Sequence, residues 1–226
     1  MFRFKLSSNT LQANQSIIAT IGNFDGMHLG HRELLGQMNQ LASVKQAWRI
    51  LITFDVLPHE YFADRAGQLR APRISLLRDK IRALKDSAVV DEVVVLHFNQ
   101  SVAKLLPNEF IQRILLQRLN VSDMLVGHDF RFGYQARGSI TDLKIAGIIV
   151  NEFAELKHQQ QRVSSSLIRE LAAKQDLSLI HSYLGHNICY TSRVVKGNQL
   201  ARKWNFPTIN LNLYKIRPVL WGIYTS

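Results

Sequence analysis

What the sequence lacks sets the first limits. Cys189 is its only cysteine, which excludes an internal disulfide and fits a reducing cytoplasm. No apolar run approaches the roughly 18 residues that span a bilayer. The N-terminal Met1-Phe2-Arg3-Phe4-Lys5-Leu6 turns polar too soon for a signal peptide. Internal repeats and low-complexity linkers are missing as well. From His186 onward there is no acidic residue, while six basic ones fall there: Arg193, Lys196, Arg202, Lys203, Lys215 and Arg217. They carry more than half of the net charge of +11 and leave 22 basic against 17 acidic residues before them. An excess of that size suits a protein that binds polyanionic nucleotides. The basic residues are scattered rather than striped and accompany no recognised nucleic-acid motif, so nucleic acid is the weaker expectation as a partner. The simplest class is a cytoplasmic protein with no membrane segment, and 46% hydrophobic with 20% charged residues is ordinary for one.

What the chain does have is alternation. Short β-type runs at 17–23, 49–54, 92–98, 123–126 and 147–153 are separated by helical patterns. Their centres, such as Ile50-Leu51-Ile52 and Val93-Val94-Val95-Leu96, are continuously apolar, as strands buried on both faces of a parallel sheet must be. Between them, Leu34, Leu35, Met38, Leu41 and Ala42 keep helical spacing, as do Ile74, Leu77, Ile81 and Leu84. A further helix starts at Pro107, whose missing N–H costs nothing at a first helical position. This order predicts an α/β fold, a doubly wound domain over 1–184 with a parallel sheet. Around Leu184-Gly185 the texture changes to β-branched residues, glycine and asparagine. Residues 185–226 read as the opening of an all-β segment too short to close a barrel, hence incomplete. If that remainder is a disrupted fragment, a chain stopped near Leu184 is expected to be the more soluble form.

Ligands of such sheets bind beyond the carboxyl ends of the strands. Thr20-Ile21-Gly22-Asn23-Phe24-Asp25-Gly26-Met27-His28-Leu29-Gly30-His31 lies where the first strand hands over to a helix. Free N–H groups and the positive end of a helix dipole there suit phosphate. His28 and His31 share one face of the first helical turn. They are read as donors to phosphate oxygens as charge grows during nucleotidyl transfer. Two histidines at this spacing could also be structural or ligate zinc, although no cysteine or further histidine lies close in sequence to complete a zinc set. Gly30 is read as letting the backbone approach a phosphate. A second phosphate candidate is Arg162-Val163-Ser164-Ser165-Ser166 with Arg169, where Ser164 alone would be explained as a helix cap. Gly127-His128-Asp129-Phe130-Arg131-Phe132-Gly133 carries two aromatics that suit either the core or a pocket for a planar ring.

These three segments together resemble the signatures of bacterial bifunctional riboflavin kinase/FAD synthetases, in the right order and over essentially the whole chain. The resemblance implies a Rossmann-like nucleotidyltransferase domain followed by a riboflavin kinase-like segment. It implies transfer of AMP from ATP to FMN, giving FAD and pyrophosphate with Mg²⁺. Catalytic contacts to the ATP phosphates would come from His28, His31 and Arg169. Gly22, Asn23, Phe24, Asp25, Gly26, Gly30, Arg162, Ser164, Ser165 and Ser166 would bind ATP, while Phe54, Gly127, Asp129, Phe130 and Arg131 would face the flavin. Phe206-Pro207-Thr208-Ile209-Asn210 resembles the kinase motif, in which Thr208 and Asn210 would serve Mg²⁺. Some positions depart from the pattern: Val56 stands for a usual proline, and Ser192, Ala201 and Asn205 stand for usual glycines. The alternatives are a related nucleotidyltransferase with another acceptor, or a basic nucleotide- or RNA-binding protein with a vestigial site. Because Ser226 precedes the region where that family places its kinase glutamate, the chain is expected not to phosphorylate riboflavin. Formation of FMN from riboflavin and ATP by the purified 226-residue chain would overturn this.

Overall fold

The computed structural model describes residues 1–158, 160–197, 208–213 and 216–223. The chain opens with β1 (Phe2–Lys5) and β2 (Ile17–Ile21), followed by α1 (Leu29–Lys45), β3 (Trp48–Phe54), α2 (Pro58–Arg65) and α3 (Leu77–Ser87). Next come β4 (Glu92–Leu96), α4 (Gln100–Ala103) and α5 (Pro107–Phe110), which runs on into a π-helical stretch, Ile111–Leu116. Then follow β5 (Asp123–Gly127), α6 (Ile140–Ile145) and β6 (Ile149–Phe153), a hairpin of β7 (Lys157–His158) and β8 (Gln161–Arg162), and helices α7 (Ser165–Ala173) and α8 (Leu177–Leu184). Two short strands, β9 (Val194–Val195) and β10 (Asn210–Leu211), pair antiparallel near the end. Phe206 and Pro207 of the kinase-like motif lie outside the described residues. Among the described residues, no helix is long and apolar enough to cross a membrane.

The main sheet has the order β1-β4-β3-β2-β5-β6, and its last five strands are parallel. β2 is central, with Ile18 opposite Arg49 of β3 on one side and Asp123 of β5 on the other. The chain therefore crosses over β2 on leaving β4, and the winding reverses beside the carboxyl end of β2. That reversal opens the crevice in which such folds take their ligands. β1, Phe2-Arg3-Phe4-Lys5, alternates apolar and polar residues but is only four residues long and exposed, so the sequence does not mark it as a strand. Pairing with β4 makes it a strand, helped by the Arg3–Glu92 ion pair.

Burial explains why the central strands read as unbroken apolar runs. Ile50 and Ile52 pack with Phe110, Ile111, Leu115 and Leu143 on one face of the sheet. Ile18, Leu51, Val93 and Val95 pack on the other against Leu35 and Met38 of α1 and Leu84 of α3. A third cluster joins Ile74, Val163, Ile168, Leu171, Ile180, Tyr183 and Leu184, and it takes in Val219 from the C-terminal segment. Main-chain bonds accompany this packing. Arg73 N–H donates to Arg217 O at 2.7 Å, and Val219 N–H donates to Arg73 O at 3.0 Å. Tyr190 Oη donates to Arg73 O at 2.7 Å and accepts from Val219 N–H at 2.9 Å.

Residues after Leu184 thus cover Ile74, which is only 1% exposed. This runs against the gain in solubility expected from stopping the chain at Leu184, since the cut would bare Ile74 and Leu184. Val219→Ala, which removes two buried methyl groups, is expected to lower unfolding stability by about 1–2 kcal/mol. Urea unfolding measures it, and a chain ending at Leu184 should unfold at a lower midpoint than either.

Candidate functional site

The turn after β2 is built by glycine where nothing else fits. Gly26 has φ +86°, and a Cβ there would lie 2.6 Å from Ile74 Cγ2. Phe24 and Met27 also adopt positive φ (47° and 45°), a costly conformation for bulky residues. Their side chains are buried in the α1-side core, which holds the backbone there. Gly22 lies under the Phe24 ring, and Gly22 N–H donates to Ile52 O. Gly30 lies in the first turn of α1. A Cβ there would meet His28 Nδ1 at 3.3 Å and Val163 O at 3.4 Å. Its smallness therefore seats the start of α1 against the loop that precedes α7.

Asp25 is 2% exposed and ties three segments together. Its carboxylate accepts from Arg169 Nη2 at 2.6 Å and from the N–H groups of Ile74 (3.1 Å) and Ser75 (3.0 Å). Arg169 Nε also donates to Pro72 O at 2.7 Å. Asn23 presents its carbonyl to the buried Lys80 ammonium and to Thr53 Oγ1. Lys80, Ser75 and the buried Arg73–Glu60 ion pair were not read from the sequence as site residues. Each looks like an ordinary helix or loop residue until the fold places it under this turn.

His28 is the N-cap of α1, and its Nδ1 accepts from His31 N–H at 3.3 Å. The two imidazoles stack with centroids 3.6 Å apart and planes 18° from parallel. Stacked rings with one nitrogen engaged on the backbone do not converge on a metal as zinc ligands do. His31 Nδ1 is buried without a partner. Ser164 caps α7, accepting from Leu167 N–H at 3.2 Å. Ser165 Oγ donates to Asp25 O at 2.9 Å, and Ser166 is exposed. The two loops are therefore bonded to each other through Ser165 and through Arg169.

Beside the first turn opens a cavity of about 450 Å³ with Gly22 and Asn23 in its wall. Phe54, Phe130 and Arg131 line it, together with Phe62 and Phe98, which the sequence reading passed over. Phe54 meets Phe98 edge-on at 5.6 Å, and Phe130 stacks on the buried Phe132 at 5.5 Å. Gly127 and Asp129 do not line the cavity. Asp129 instead accepts from Arg162 at 3.2 Å, and Arg162 also pairs with Glu155 at 2.6 Å. Thr208 and Asn210 stand apart from all of this, exposed, with Asn210 packed over Gly197. No group of three or more His, Cys, Asp or Glu residues that could hold a metal occurs among the described residues.

The chain is similar to known proteins in sequence and fold. A family model described as FAD synthetase matches residues 10–167. The chain belongs to the FAD synthetase family. A second model, riboflavin kinase, matches residues 184–226. The chain is 36% identical over 220 residues to the bifunctional riboflavin kinase/FMN adenylyltransferase of Haemophilus influenzae, covering 96% of this chain and 70% of that protein. The protein of the same name from Escherichia coli K12 is 34% identical over 221 residues, with 96% and 69% covered. A crystal structure from Streptococcus pneumoniae, titled as a macrolide-efflux protein, superposes with a TM-score of 0.74 at 24% identity. It covers 96% of this chain and 69% of that one, and at that identity it shows the fold alone.

The electrostatics of this FAD synthetase family site keep its histidines neutral. Burial, with Arg162 and Arg169 nearby, pushes the His28 imidazole down to about 4. Burial, with His28 and Lys80 as neighbours, holds His31 well below its usual range. The unfolded chain therefore takes up protons on these rings below about pH 6.5 while the folded chain resists. Stability is accordingly expected to fall as pH drops from 6.5 toward 4. His28→Asn, which keeps a capping acceptor, should flatten that slope when urea midpoints at pH 7 and pH 5 are compared with those of the wild type.

Proposed function

We propose that this chain transfers the adenylyl group of ATP to FMN, forming FAD and releasing pyrophosphate, in the cytoplasm. One observation carries the reading: Gly22 and Asn23 belong both to the phosphate-type turn and to the wall of the aromatic cavity. A ring held among Phe54, Phe130 and Arg131 would thus present its phosphate next to the turn. An oxygen of the FMN phosphate attacks the α-phosphorus of ATP, and the bond to the oxygen bridging to the β-phosphorus breaks. A phosphate monoester is already largely dianionic near neutrality, so the step needs no side-chain base. Catalysis rests on positioning and on donors aimed at growing charge.

His28 and His31, uncharged at neutral pH, donate N–H to the phosphate oxygens at the start of α1. Gly22, Asn23, Phe24 and Gly26 shape the turn that receives the triphosphate. Ser166 and the first N–H groups of α7 face the departing pyrophosphate, while Ser164 and Ser165 act through the cap and the bond to Asp25 O. Gly30 acts by letting the two loops close on each other. Asp25 and Arg169 hold them in register, and Arg162 adds positive charge within reach of His28. Gly127 and Asp129 support the flavin loop, Asp129 by orienting Arg162 rather than by touching the ring. The Asp25 carboxylate is taken up by Arg169, Ile74 and Ser75, so Mg²⁺ fits best as part of the nucleotide substrate, held by triphosphate oxygens and water. Thr208 and Asn210 are left as a kinase-type magnesium pair apart from this reaction.

Pyrophosphate release with ATP, FMN and Mg²⁺ tests the reading. His28→Ala and His31→Ala should each lower kcat by about 10²-fold or more, the usual effect of removing one oxyanion donor. Arg131→Ala should raise KM for FMN and leave KM for ATP near its wild-type value. Equal rates for the wild type and both histidine variants would overturn the mechanism.

A further inference from the structure

Lys80, in the first turns of α3, is 3% exposed. Its ammonium has no carboxylate partner. It donates to Asn23 O and, at 3.1 Å, to Thr53 Oγ1, both neutral acceptors. The charged and titratable groups facing it are Asp25 from the turn, Glu60 from α2, Arg73 from the segment before α3, and His31 from α1. Each of the two carboxylates is already matched, Asp25 to Arg169 at 2.6 Å and Glu60 to Arg73 at 2.5 Å. Its sequence neighbour Asp79 accepts from Thr191 N–H instead. Two carboxylates against Arg73, Arg169 and Lys80 leave one positive charge in surplus. It sits directly beneath the carbonyl of Asn23, a residue that also lines the cavity beside the turn. An unmatched buried cation is costly in the empty protein and is relieved when an anion arrives.

We propose that Lys80 is a positioning residue of the nucleotide site, drawing the Asn23 carbonyl inward and supplying the surplus charge that the ATP triphosphate neutralises. The assignment rests on reading this site as the ATP site. Burial pushes the Lys80 ammonium down to about 8, so at pH 8.5 the empty site holds it partly neutral. An arriving polyanion favours the charged form and draws a proton in.

Titration calorimetry with the non-transferable α,β-methylene analogue of ATP and Mg²⁺, without FMN, reads this out. Runs at pH 6.5 and 8.5 in two buffers of different ionisation enthalpy give the protons taken up. The phosphate groups are fully ionised at the higher pH and contribute little there. The wild type should take up as much as about three quarters of a proton at pH 8.5 and almost none from this group at pH 6.5. Lys80→Arg, charged at both pH values, should bind with that alkaline uptake abolished. Lys80→Met should weaken binding about 10- to 100-fold at pH 7, the effect of losing a charged hydrogen-bond donor. Uptake at pH 8.5 that persists in Lys80→Arg, with the analogue bound, overturns the role of Lys80 and leaves the ATP site standing. Absence of nucleotide binding by the wild-type chain overturns both.

Discussion

The buried Asp25–Arg169 pair is the interaction on which the rest of the site depends. Asp25 sits in the turn after β2, Arg169 on α7, and between them the N–H groups of Ile74 and Ser75 complete the carboxylate's shell. Three segments far apart in sequence are fixed by one side chain. A buried pair of this kind gives little net stability over a well-packed apolar substitute. Breaking it by removing one partner is costly, because the other charge is left stranded. Its contribution is therefore register: the start of α1 and the start of α7 face each other at one end of the sheet because this pair and Ser165 hold them there.

That register decides the chemistry available. Two helix starts held beside each other, with the Asp25 carboxylate taken up by Arg169, make a donor-rich surface whose polarity suits an anion better than a general base. The stacked, desolvated histidines fit the same logic, since neutral imidazoles can donate without adding positive charge beside Arg162, Arg169 and Lys80. The aromatic cavity opens alongside, with Gly22 and Asn23 of the same turn in its wall. The C-terminal segment is joined to it as well: His186 Nε2 lies 2.9 Å from Gly26 O, and Tyr190 and Val219 bond to Arg73. The segment packed against Asp25 thus has both parts of the chain on it.

Much of this was legible in the residues. The short apolar runs of β3 and β4 fit strands buried on both faces, and with intervening helices they imply parallel order and a crevice at the carboxyl ends. The glycine-histidine turn stood out because glycine there answers a backbone demand, visible at Gly26 as a positive φ under Ile74. Other parts left no local trace. β1, a four-residue alternation too short to stand alone, forms on the edge that β4 offers, and Phe62 and Phe98 become cavity walls only once α2 and the end of β4 lie side by side. Asp129, read as facing the nucleotide or flavin, also pairs with Arg162, a partner 33 residues away that the local sequence does not reveal.

The sequence by itself determined most of the element types and marked the turn after β2, because periodicity and glycine placement are local constraints. Only the tertiary structure decided which charges are matched and which are left over. Asp25 and Glu60 have arginine partners 144 and 13 residues away, while Lys80 beside them meets only the neutral oxygens of Asn23 and Thr53 among the described residues. Charge balance in a buried site depends on distances through space, and those exist only once the chain has folded.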